Sequence, residues 1–397
     1  MHPAHRSSQS CSAARAPLPA AADFCLPPEV LYLDTAAQGP RLHSVLAAGH
    51  AALDASATPW RLATPDWIAR IEGLRALAAR TLFEGDVEGV AMVPSAAFGL
   101  ATAARNLPLQ RGESVLVLES QFPSNLLAWQ VRAAEVGAKV VPVSRAHAQD
   151  WTDAVLATVC NVPGIRIAAL PHAHWHDGAL LDLDRIAPRL QAAGIALVLD
   201  LSQSLGVLPA RLAAWQPAFV VGVGHKWLLG PTGLAWLWAA PHWREQGAPI
   251  EQHWSARAPA GEWTFPVDVP PPYQAGARRF DAGGITEPAR LAMAEVALAH
   301  VAAWGADAIA ARLGQLTTAL RQALESRGLD HWHAPGHAPH LTALRAPDAT
   351  LLDQAHAALS AAGVVCTRRA GLLRIAPYLH VTEADMDRLA NALVDAL

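Results

Sequence analysis

The sequence predicts an α/β fold: a large domain with a mainly parallel sheet sandwiched by helices, then a smaller α+β carboxy-terminal domain. Three observations predict it. Short apolar runs alternate with helical stretches between residues 89 and 238. Those runs are apolar at nearly every position rather than every second one, as in strands covered on both faces. The length of 397 residues suits two or three domains' worth of core.

Residues 1–22 are rich in Ala, Ser and Pro and lack a compact apolar stretch, so a disordered tail is expected there rather than a signal peptide. Residues 23–42 form an amino-terminal segment, expected to pack on the small domain, with an extended run at 31–34. The large domain is placed at 43–272. It opens with helices at 43–55 and 65–82. Strands follow at 89–93, 114–118, 139–143 and 165–170, separated by helices at 96–106, 125–136 and 153–159. A helix at 184–193 leads to strands at 196–199, 219–223 and 234–238. Residues 241–272, rich in Pro, Trp and Gly, read as an irregular connection. The small domain is placed at 273–397. It holds a long helical pattern at 287–327 broken near Gly305, strands at 340–345 and 372–375, and helices at 349–362 and 382–397. Thr382 with Asp385 gives the last helix a capping-box start.

The net charge is −4, with no basic stripe, which argues against nucleic acid or an anionic membrane as partner. No apolar run reaches membrane-spanning length. Cys11, Cys25, Cys160 and Cys366 are scattered without ligand spacing, so no metal site and no disulfide framework is expected. A reducing cytoplasm is the default location.

Of the 30 basic residues only two are lysines, Lys139 and Lys226. Arg stays protonated, whereas a Lys in a dry site can lose its proton and act as a nucleophile. Lys139 follows a turn-like Gly137-Ala138 and reads as a surface charge. Lys226 lies in an almost wholly apolar stretch, 220–231, where a charge must be neutral, paired or chemically used. Asp200 ends the apolar run 195–199, and Lys226 follows the next one. Sites of open α/β sheets lie beyond the carboxyl ends of strands, so the two residues are expected to face one ligand. A carboxylate and an amine so placed suit pyridoxal 5'-phosphate. The amine forms a Schiff base with the aldehyde, and the carboxylate keeps the pyridine nitrogen protonated. The plainer alternative is a structural Asp–Lys ion pair.

Asp200-Leu201-Ser202-Gln203-Ser204-Leu205-Gly206, with Gly224-His225-Lys226-Trp227 through Gly233, resembles the class V aminotransferase family. That family is the cysteine desulfurase-like and kynureninase-like branch of fold-type I pyridoxal phosphate enzymes. The likeness runs from Tyr32 to Pro377. It implies that Lys226 is the Schiff-base lysine and proton shuttle, and that Asp200 holds the pyridinium nitrogen. Gln203 would donate to the ring's phenolate oxygen, and His225 would approach the phosphate. Ser95, Ala96 and Ala97, at the start of a helix, match the family's phosphate-binding turn, where free N–H groups meet an anion. Phe122 stands at the place of the aromatic that stacks on the ring. Arg374 matches the arginine that grips the substrate carboxylate, and Ala36 and Ala37 would line the substrate side. The resemblance also implies an amino-acid substrate and a homodimer.

The chain departs from the desulfurase pattern in four places. The stretch from Cys366 to Arg374 leaves little room for a sulfur-accepting loop, so Cys366 reads as a core thiol. Val223 replaces a phosphate-binding Ser. Gly284 replaces the Thr that reaches a partner's phosphate, with Thr286 as a substitute. Trp175 replaces a ring-contacting Asn, either packing beside the ring, lining the pocket or filling core. Transamination is the family default; elimination including C–S cleavage, epimerisation and kynureninase-like hydrolysis start at the same amine.

Overall fold

The computed structural model describes residues 15–145, 150–284, 287–334 and 336–395. The chain begins with β1 (Leu31–Tyr32), α1 (His43–Ser56) and α2 (Thr64–Leu82). Then come β2 (Val90–Val93), α3 (Ala96–Asn106), β3 (Ser114–Leu118), α4 (Ser124–Val136), β4 (Lys139–Val143) and α5 (Trp151–Asn161). They are followed by β5 (Ile165–Pro171), α6 (Leu183–Ala192), β6 (Ala196–Asp200), α7 (Leu212–Trp215), β7 (Phe219–Val223), β8 (Ala235–Ala239) and α8 (Pro241–Gln246). The last part holds α9 (Pro288–Trp304), α10 (Ala306–Glu325), β9 (Thr342–Leu344) and α11 (Ala349–Ala361). It closes with β10 (Val364–Val365), β11 (Thr367–Arg369), β12 (Leu372–Ile375) and α12 (Glu383–Val394).

The central sheet has seven strands in the order β2-β8-β7-β6-β5-β3-β4. β4, β3, β5, β6 and β7 run parallel, and β8 is antiparallel to both neighbours. Every residue of β2, β3, β7 and β8 is buried, which is why these runs show no alternation. This is the fold-type I architecture expected from the sequence. Beside it lies a three-stranded antiparallel sheet, β11-β12-β9. The amino-terminal segment is tied to the carboxy-terminal part by the parallel pair β1–β10.

Gly305, at a φ of +80°, bends the expected long helix by 78° into α9 and α10. No single helix among the described residues is long and apolar enough to cross a membrane. Two details correct the sequence reading. The irregular stretch 241–272 contains α8, begun by Pro241 at a position where a missing N–H costs nothing. β10 and β11 were not anticipated, because each is only two or three residues long and pairs with distant segments. Thr286, expected near the phosphate, lies outside the described residues.

Candidate active site

At the carboxyl ends of β5 and β6, and just beyond β7, the sheet meets a cavity of about 310 Å³. That is within the volume range of small-molecule sites, about 300–1,000 Å³. Its wall includes Lys226, Asp200, Gln203, His225, Phe122, Trp175 and Arg374. Ser95, Ala96, Ala97, Ala36 and Ala37 also line it. The structure thus brings together every described residue that the sequence reading placed there.

Each side chain is held by a local cause. Asp200 ends β6 and is buried, with one carboxylate oxygen accepting from the Ser202 N–H at 3.0 Å. Lys226 follows β7 on a loop clamped from both sides. Gly39 N–H donates to the His225 carbonyl at 2.8 Å, and Arg41 donates to the carbonyls of Leu229 and Gly230. Gly39 is required by contact: a Cβ there would lie 2.1 Å from the Lys226 carbonyl oxygen.

Asp200 and Lys226 form no ion pair among the described residues, so the structural-pair alternative does not hold. The Lys226 ammonium instead lies 5.4 Å from the centre of the Phe122 ring, within cation–π range. Burial is the main cause that lowers the Lys226 pKa to about 8. Asp200 opposes that shift, while Arg374 and Arg369 add to it. Burial, then Lys226 and Arg41, push His225 down to about 4. His225 is therefore a neutral imidazole at neutral pH, a hydrogen-bond donor rather than a cation.

Gln203 is fixed at both ends of its amide. Its Nε2 donates to the Ala36 carbonyl at 2.9 Å, and its Oε1 accepts from Trp227 Nε1 at 2.9 Å. Its Nε2 keeps a second proton for another acceptor. Trp175 resolves as a wall residue: its Nε1 donates to the Ser120 carbonyl at 2.8 Å, and its ring meets Phe122 edge-on at 5.4 Å. Arg374 is buried and pairs with Asp34 at 2.8 Å, while Thr367 donates to the other Asp34 oxygen. The Arg374 Nη1 donates to the Trp175 carbonyl at 3.1 Å, and its buried Nε has no partner among the described residues.

The residues fit pyridoxal phosphate. Ser95 caps α3, accepting from Phe98 N–H at 3.1 Å, and the first N–H groups of that helix have no intrahelical acceptor. The Ser202 hydroxyl, on the same wall, is buried without a partner. A phosphate end, a ring-nitrogen end and an amine are thus present in one cavity.

Sequence reasoning missed Asp34 and Arg369. Asp34 ends the extended run at 31–34, but its role depends on Arg374, 340 positions away. Cys366 is buried and burial raises its thiol pKa to about 12. β11 and β12 are joined by a two-residue turn, Ala370-Gly371, both at positive φ. This hairpin has no room for a sulfur-accepting loop.

Fold and site define a pyridoxal phosphate-dependent enzyme of fold-type I. The chain belongs to the class V aminotransferase family, whose model matches residues 31–389. Isopenicillin N epimerase of Streptomyces clavuligerus is 26% identical over 80% of this chain and 82% of its own. The crystal structure of the Escherichia coli cysteine desulfurase CsdA superposes with a TM-score of 0.79 at 22% identity, covering 94% of this chain and 96% of that one. A C-DES mutant with glycine covalently linked to its PLP cofactor gives a TM-score of 0.81 at 19% identity, over 95% and 99% of the two chains.

Proposed function

We propose that the protein transaminates an α-amino acid, with Lys226 as the amine that carries the cofactor and moves the substrate's α-proton. The observation that supports this most is the buried pair Lys226 and Asp200, which share one cavity wall without touching. The cofactor, when bound, supplies an aldehyde for the amine and a ring that accepts electrons from a substrate carbanion.

The chain's residues do the rest. Asp200 would hold a proton at the cofactor's ring nitrogen through its charge. Ser95 and the α3 N–H groups would hold the anionic end, with His225 as a neutral donor beside them. Phe122 and Trp175, in edge-on contact, would exclude water from the part of the cavity they line. Arg374 orients the substrate through its carboxylate. Lys226, with its pKa lowered to about 8, is partly neutral near neutral pH and takes the α-proton on one face. Phe122 carries no exchangeable proton, which favours proton return from the lysine side over epimerisation by a second base.

Epimerisation is the second reading, favoured by the 80% coverage of the isopenicillin N epimerase relative. The same proposal includes a homodimer, supported by exposed apolar side chains at Trp60, Trp263, Val267 and Val269, and a cytoplasmic location.

The test is a panel of amino acids added to the cofactor-loaded protein. Transamination converts the cofactor to its amine form and yields a keto acid. Release of pyruvate or sulfide would replace this reading with elimination. Exchange of the α-hydrogen with inversion and no keto acid would replace it with epimerisation.

A further inference from the structure

The cavity carries a third cation that the proposed function does not use. Arg369 lines the same wall as Arg374 and Lys226. It is the last residue of β11, and Thr367, two positions earlier, is on the same side of the strand. Thr367 is paired in register with Arg374, so the strand directs Thr367 and Arg369 toward the site. Arg368, between them, points the other way and pairs with Asp353 at 2.5 Å.

Arg369 is an exposed side chain on a fixed backbone. Its guanidinium carbon lies 5.4 Å from the centre of the Trp175 ring. Its carbonyl accepts from His176 Nε2 at 3.2 Å. The Ala370-Gly371 turn, with φ of +40° and +84°, fixes the strand end. Asp34 pairs with Arg374, and Asp200 is the acid among the residues lining the cavity. Arg369 is left without a carboxylate in ion-pair range among the described residues.

We propose that Arg369 determines specificity by binding a second anionic group on the substrate side chain, so the enzyme selects acidic amino acids over neutral ones. Arg374 takes the α-carboxylate and Arg369 the distal one. A guanidinium beside an aromatic ring is well suited to a carboxylate, because its planar fork of donors matches the two carboxylate oxygens. This deepens the proposed function and rests on it for the identity of the reacting carbon.

The test uses the cofactor-loaded protein, its Arg369→Ala and Arg369→Lys variants, and two kinds of probe. Glutarate and butyrate, which have no amine, are titrated by calorimetry and by the shift of cofactor absorbance. Glutamate, aspartate and alanine are followed as substrates. The wild type should bind glutarate better than butyrate and prefer glutamate or aspartate to alanine. Arg369→Ala should lower kcat/KM for the acidic substrate about 10- to 100-fold, mainly through KM, the loss of a charge-assisted contact. Alanine should change less than about twofold, and Arg369→Lys should restore part of the loss. Equal losses for acidic and neutral substrates, or a wild type that favours alanine and binds the two acids equally, would overturn the proposal. If no amino acid reacts at all, the proposed function fails, and the glutarate titration still decides whether Arg369 binds a distal anion.

Discussion

Lys139 and Lys226 are the same residue type at opposite ends of parallel strands, and they differ in almost everything else. Lys139 opens β4, an edge strand, and is exposed. Lys226 lies beyond the carboxyl end of β7, is buried, and has its pKa lowered to about 8. In parallel sheets the carboxyl ends converge on a crevice while the amino ends face the connecting turns. Position in the sheet, rather than residue type, buries one lysine at the cavity and leaves the other as an exposed charge.

The largest expected effect breaks that contrast directly. Lys226→Ala should abolish covalent attachment of the cofactor and lower turnover by at least about 10³-fold. Lys139→Ala should leave both unchanged and alter stability by no more than about 0.5 kcal/mol. Absorbance of the loaded protein and steady-state rates check both.

Next in size is the support behind the site. Asp34→Ala leaves the buried Arg374 guanidinium without its carboxylate, and removing one partner of a buried pair costs about 3–5 kcal/mol. The urea midpoint should fall accordingly.

Gly39 offers a smaller effect with an internal control. Gly39→Ala places a methyl against the Lys226 carbonyl and should cost about 1–3 kcal/mol through overpacking, with weaker cofactor retention. Gly73, exposed in α2 with open space at its Cβ position, should become more stable by about 0.5–1 kcal/mol on change to Ala. Thermal melts of the two variants should move in opposite directions.

A pH slope in the cofactor-free protein probes the same contrast by titration. The folded-state pKa of Lys226, about 8, lies below its ordinary 10.5. Between those values the unfolded chain binds more protons, so stability should rise with pH there. The penalty of the buried charge is fully present below pH 8. Lys226→Met should flatten the slope, and a slope that persists unchanged would break the assignment. On the acid side the sign is the same: His225, His340 and His380 are each lowered to about 4, mainly by burial. Stability should therefore fall as the pH drops from 6.5 toward 4.

The parts of the fold legible in the sequence were those set by local pattern. The buried strands at 114–118 and 219–223 have no polar face, and α3 begins at a serine cap. Lys226 and Asp200 were legible because a charge in an apolar run needs a reason. Gln203, His225 and Ser95 were placed by resemblance rather than by physical pattern. What was not legible depends on distant contacts. Asp34 matters only once β1 has paired with β10 and brought it to Arg374. Arg369 differs from Arg368 only by which side of a three-residue strand it occupies, and a strand that short gives no alternation to read.

The most direct measurement is borohydride reduction of the cofactor-loaded protein, followed by peptide mapping of the reduced adduct. With only two lysines in the chain, the choice is nearly binary. Label is expected on Lys226 and none on Lys139. Label on Lys139, or a loaded protein that yields no lysine adduct, would contradict it.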